Sequence, residues 1–157
     1  MVGRDPVAAV GALVVVVLVA TGPLTGLDVT GAEATTFGEG DATIDGVELD
    51  ASALVVTDGR FGAAGPYLRP PTAAVTVSSV SDRPRLVYVV AVPALGVDRT
   101  ETAVVTSPGT YRLAPDDRAL APGTATGSYD ATLTVRLQSF ETDRTLVRAN
   151  TTVEVGA

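Results

Sequence analysis

The sequence predicts an all-β protein: an immunoglobulin-like β-sandwich of seven to nine strands after an N-terminal hydrophobic helix. Three observations predict it. Val and Thr number 26 and 21 of the 157 residues, and β-branched side chains suit a pleated strand better than a helix. Gly numbers 16 and Pro 10, scattered as punctuation between short apolar runs, the pattern of many strands joined by turns. From Tyr129 to Gln138 apolar and polar residues alternate, the two-residue period of a half-buried strand. The chain divides into an apolar membrane anchor or signal peptide (1–27), a linker rich in Thr, Gly and Ala (28–40) and the sandwich (41–157).

The first element is the unbroken apolar run Val7 to Ala20. As a helix it reaches about 21 Å, short of a hydrocarbon core of about 30 Å, and matches the apolar region of a signal peptide. Continued through Pro23 to Leu27 it reaches about 31 Å and spans. Ala32-Glu33-Ala34 has the form of a cleavage site but lies well beyond Ala20, far for that purpose. The preferred reading is an uncleaved anchor, and the alternative is a cleaved signal followed by secretion. Arg4 precedes the run and the next positive residue is Arg60. The positive-inside rule then keeps the N-terminus in the cytoplasm and sets the sandwich outside.

The body reads as strands in sequence. "DATIDGVEL" (Asp41 to Leu49) is extended, with Asp45-Gly46 marking a turn or bulge. "ALVVT" (Ala53 to Thr57) ends at Asp58-Gly59, and Arg60 to Arg69 bends between two short extended pieces. "AAVTVSSV" (Ala73 to Val80), the turn Ser81 to Pro84, and "RLVYVVAV" (Arg85 to Val92) suggest a hairpin. The second of these strands is apolar on both faces, which places it at the centre of the fold. Pro93 ends it, since Pro cannot donate to a ladder. Arg99 to Thr106 and Thr110 to Ala114 flank a Ser107-Pro108-Gly109 turn, and Pro115 to Ala121 suits one helical turn. The last two strands form a hairpin, with Tyr129, Ala131, Leu133, Val135 and Leu137 on one inner face and Val147, Ala149, Thr151, Val153 and Val155 on the other.

Composition narrows the chemistry. There is no Cys, His, Lys or Trp, so disulfides and thiolate metal sites are excluded and the usual bases for a Ser or Thr nucleophile are missing. The expectation is a non-enzyme without cofactor or metal. Net charge is −7, which argues against nucleic acid and against polybasic membrane binding. Acids crowd at Asp41, Asp45, Glu48 and Asp50 and again at Asp116-Asp117, with oxygen chemistry that suits calcium but without the spacing of a calcium loop. Gly38-Glu39-Gly40 begins like a phosphate-binding loop but lacks the third glycine.

Two places are candidates for function. Asn150-Thr151-Thr152 is an N-glycosylation sequon holding the sole Asn of the chain. "GRFGAAGPYLRPP" gathers Arg60, Phe61, Tyr67 and Arg69, an aromatic–arginine patch of the kind that meets a protein partner.

Three resemblances add to this reading. Twelve Asp without Lys, amid much Ala, Val and Thr, resembles the proteins of salt-loving archaea, whose solvent mutes acidic self-repulsion. "GRDPVAAVGALVVVVLVA" is similar to the start of archaeal pilin-like proteins, which implies a filament subunit as an alternative. "FGEGDA", "GRFGAAGPYLRPP" and "RPRLVYVVAVPALGVDR" resemble an uncharacterised family of short haloarchaeal proteins with one N-terminal membrane segment and an extracytoplasmic β domain. That resemblance implies a place at the archaeal cell membrane and partners among surface or type IV pilus proteins. It implies no catalytic residues.

Overall fold

The computed structural model describes residues 38–58 and 65–156. The expected anchor, the linker up to residue 37, the Ala34 cleavage motif, Gly59 of the Asp58-Gly59 turn and the Arg60–Phe61 pair lie outside the described residues. Among the described residues no helix is long and apolar enough to cross a membrane. Residues Thr36–Ala157 form one compact unit.

The described residues are mostly β-sheet. The strands are β1 (Gly40–Leu49), β2 (Val55–Thr57), β3 (Tyr67–Arg69), β4 (Ala73–Asp82), β5 (Arg85–Val92), β6 (Val97–Val104), β7 (Gly109–Leu113), β8 (Arg118–Ala119), β9 (Gly127–Gln138) and β10 (Asp143–Val155). Seven of these ten strands among the described residues have five or more residues, and the one the sequence did not suggest is the two-residue β8, which lies where a helical turn was expected. The strands form three sheets, ordered β1-β4-β7, β10-β9-β5-β6 and β2-β3-β8, with antiparallel pairing throughout.

Period-two patterning explains how each long strand meets the core. On β9, Ala131, Leu133, Val135 and Leu137 are buried, and the residues between them are half-buried. On β4, Ala73, Val75 and Val77 are buried. On β5, Leu86, Tyr88, Val90 and Val92 are wholly buried, and that strand lies between β9 and β6. Buried side chains from all three sheets join one hydrophobic cluster. Burial of a side chain of this size stabilises by about 1.5–3 kcal/mol, so the alternation is the main force that orients each strand.

The expected bulge at Asp45-Gly46 is present: the β1–β4 register shifts between Thr43 and Gly46. An extra residue in one strand bends it and raises its twist. Gly40 is required for a different reason. Its φ is +90°, and a Cβ there would lie 2.0 Å from the Ser81 carbonyl oxygen.

Two expectations are corrected. Ala73–Val80 and Arg85–Val92 do not form a hairpin, because β4 pairs with β1 and β7 while β5 pairs with β6 and β9. Asp82 has φ 54° and Pro84 lacks an N–H, so the chain turns out of the first sheet and enters the second. The Ser107-Pro108-Gly109 turn likewise carries the chain from β6 to β7 in the other sheet. Pro115–Ala121 makes no helical turn. Arg118–Ala119 is extended against Tyr67–Leu68, and the Leu120 N–H donates to the Pro66 carbonyl at 2.9 Å, which buries the Leu120 side chain.

Two tyrosines pin connections. The Tyr129 hydroxyl, near the start of β9, donates to the Ala125 carbonyl four residues upstream at 2.8 Å. The Tyr111 hydroxyl donates to the Ser107 carbonyl and accepts from the Thr106 and Ser107 amides. Burial alone would raise the Tyr111 pKa, but those two donated amides outweigh it and lower the value.

Candidate functional site

Strand register builds the site. Across the four-stranded sheet, Val104 of β6 lies opposite Arg85 of β5, Arg85 opposite Gln138 of β9, and Gln138 opposite Asp143 of β10. These four residues share the sheet face turned away from the core, since their neighbours Leu86 and Leu137 are buried. The next row on that face is Thr102, Val87, Arg136 and Thr145.

The row opens into a cleft of about 490 Å³, lined further by Gly38, Arg83, Ser139 and Phe140. The β9–β10 turn forms one wall. Ser139 Oγ accepts the Glu141 and Thr142 amides at 3.2 and 2.9 Å, and the Phe140 amide donates to the Gly38 carbonyl at 2.5 Å. The Phe140 ring lies over Gly38, where a Cβ would meet it at 3.4 Å. Gly38 has φ +91°, a backbone conformation that favours glycine. The ring is nevertheless 79% exposed. A large apolar side chain held in place and left in water marks a contact surface more than a packing role. Val104, another exposed large apolar residue, lines the same cleft.

The electrostatics are unequal. Arg136 grips both carboxylate oxygens of Asp143 through Nε and a terminal nitrogen, so the one acid among the described lining residues is already engaged. Arg85 is exposed and no acid among the described residues pairs with it. Arg85 therefore gives this corner of an acidic protein a positive potential.

The aromatic–arginine patch expected from the sequence has a different character. Its described half, Tyr67 and Arg69, sits on β3, with Arg69 Nε 3.3 Å from Asp117. Thr57, Asp58, Tyr67, Arg69 and Asp117 line a shallow hollow of about 220 Å³. Tyr67 is half-buried and Leu68 between the two is wholly buried. The charge of Arg69 is met within the domain.

Asn150 lies in mid-strand on β10, an edge strand. Its side chain is exposed and its Oδ1 accepts from Thr132 Oγ1 at 3.1 Å. Several of the clustered acids have local partners: Asp41 lies 3.7 Å from Arg144, and Asp116 and Asp117 pair with Arg99 and Arg69. Asp50 caps the short 3₁₀ turn Ala51–Ala53, and the Ser52 hydroxyl and amide lower its pKa. Among the described residues no group of three or more His, Cys, Asp or Glu could hold a metal ion.

Sequence reasoning missed Phe140 and Arg85 as a pair. They are distant in the chain, and only pairing of β5 with β9 joins them. The usable signal was Phe140 itself, an aromatic residue in a polar turn, "SFETD". Compared with protein families, curated proteins and solved structures, the chain matches none.

Proposed function

We propose that this protein is a non-enzymatic, membrane-anchored extracytoplasmic immunoglobulin-like domain with a structural or adhesive role at the archaeal cell surface, accessory to a pilus or secretion system. Two features support the sandwich. Seven longer strands divide three and four between sheets ordered β1-β4-β7 and β10-β9-β5-β6, with β4 to β5 and β6 to β7 crossing between them, as Greek-key sandwiches do. The Tyr129–Ala125 hydrogen bond has the position and span of the tyrosine corner of such domains.

The cleft carries the adhesive role: Phe140, on the β9–β10 turn, is presented at 79% exposure in the same cleft as Arg85. The run Val7 to Ala20 and its extension to Leu27 support the anchor, and the resemblance to short haloarchaeal proteins supports the surface location.

The test is to express the chain with a C-terminal tag in a salt-tolerant archaeal host, fractionate the cells and measure intact mass. The expected result is full-length protein in the membrane fraction, with the tag removed by protease added to intact cells. Recovery from the medium without the first ~34 residues would replace the anchor with a signal peptide and favour a secreted binding module. Recovery in sheared filaments with a processed N-terminus would favour a pilin-like subunit.

A further inference from the structure

We infer that the Arg85–Phe140 cleft binds an anionic sugar, a hexose ring bearing a carboxylate or a sulfate ester. The inference rests on the adhesive reading above and names the ligand class of that site.

Four properties of the cleft select this chemistry. Arg85 offers an exposed guanidinium with no acidic partner among the described residues, and a guanidinium fork matches the oxygens of a carboxylate or sulfate. Gln138, opposite Arg85 in the ladder, and Thr102 supply both donors and acceptors, which the hydroxyls of a sugar require. Phe140 and Val104 supply the apolar wall on which the C–H face of a pyranose ring can lie. The volume of about 490 Å³ falls in the range of small-molecule sites, roughly 300–1,000 Å³.

The same features disfavour a peptide. One common way for a peptide to bind a sheet is to add to a free strand edge. Here the charged floor is formed by β5 and β9, both interior strands whose backbone groups pair on each side. A bare inorganic anion would leave the Phe140 ring without a role. The backbone that presents the ring is also fixed before any ligand arrives, by the Phe140–Gly38 hydrogen bond. Preorganisation of this kind lowers the entropy cost of binding.

The test is calorimetric titration of the full chain in detergent with three disaccharide probes: one with a glucuronate unit, one with a 6-sulfated glucose unit and one neutral glucose disaccharide. Amide NMR spectra locate the site. At least one anionic probe is expected to bind ten or more times tighter than the neutral one and to shift the amides of Thr102, Gln138 and Phe140. Which anionic probe binds distinguishes carboxylate from sulfate. Arg85→Gln should bring the anionic probe down to the neutral level, and Phe140→Ala should weaken it at least fivefold. Arg69→Gln should change nothing. Equal binding of neutral and anionic probes, unchanged affinity in Arg85→Gln, shifts confined to other parts of the domain, or no binding by any probe would overturn the inference. Both variants alter exposed side chains, and retained dispersion of the core amides shows that they fold. Failure here leaves the membrane-anchored reading standing, because fractionation and protease access test that separately.

Discussion

Two arginine–aromatic clusters sit in this domain, one at Tyr67 and Arg69 and the other at Arg85 and Phe140. They use the same residue types and differ in what surrounds them. Arg69 has Asp117 at 3.3 Å, Tyr67 is half-buried, and the hollow beside them is lined by two acids against one arginine. Arg85 has no such partner among the described residues, Phe140 is 79% exposed, and the one acid nearby is occupied by Arg136. The difference teaches that the same residue types are spent within the fold in one place and left facing solvent in the other.

The largest expected effect tests whether the first cluster is structural. Leu68, between Tyr67 and Arg69, is wholly buried, so Leu68→Ala should cost about 2–5 kcal/mol through lost transfer energy and a residual cavity. Phe140→Ala should change stability by no more than about 0.5 kcal/mol. Denaturant unfolding of both variants at one fixed salt concentration measures this. If Phe140→Ala cost as much as Leu68→Ala, the ring would be a packing residue and the contrast would disappear.

A pair of tyrosines repeats the contrast inside the domain. Tyr88 is wholly buried and its hydroxyl has no hydrogen-bond partner among the described residues. An unsatisfied buried hydroxyl costs about 1–3 kcal/mol, so Tyr88→Phe should raise stability by up to that amount. Burial also pushes the Tyr88 pKa far up. The folded chain keeps this proton while the unfolded chain releases it above about pH 10. The stability from neutral Tyr88 is therefore complete below pH 10 and falls as pH rises, by about 1.4 kcal/mol per unit. Unfolding measured between pH 9 and about 11 should show this loss in the native chain and less of it in Tyr88→Phe. Tyr129 should behave in the opposite way. Its hydroxyl is bonded to the Ala125 carbonyl, so Tyr129→Phe should cost about 1 kcal/mol. A gain in stability on that substitution would remove the support it gives to the sandwich.

The smallest effect concerns the Arg69–Asp117 pair. Both side chains are about half exposed, at 49% and 50%, and such pairs contribute about 0–1 kcal/mol. A double-mutant cycle with Arg69→Gln and Asp117→Asn should give a coupling in that range that shrinks with added salt. The pair matters for what it prevents, since it leaves Arg69 little reason to seek an external anion.

Strand positions and strand faces were legible in the residues. β1, β4, β5, β9 and β10 lie close to where the apolar runs put them, and the inner residues Ala131, Leu133, Val135 and Leu137 are the buried ones. Periodicity is local: a strand exposes every second side chain to one face whatever it pairs with. The bulge at Asp45-Gly46 and the central place of β5 were legible for the same reason. The acidic composition, the missing His, Cys and Lys, and the apolar N-terminal run are facts of sequence alone.

The β9–β10 hairpin was legible in the sequence, but the other strand partnerships were decided only in three dimensions. The adjacent strands β4 and β5 lie in different sheets, and β5 finds its partner β9 far along the chain. Pairing depends on which long loops close and which faces bury each other, and neither leaves a mark within one strand. The cleft follows from that choice, because Gly38, Arg85, Val104 and Phe140 meet only when four distant segments converge. Whether an arginine finds an acid is equally a matter of packing, and here it separates Arg69, neutralised by Asp117, from Arg85, left facing solvent.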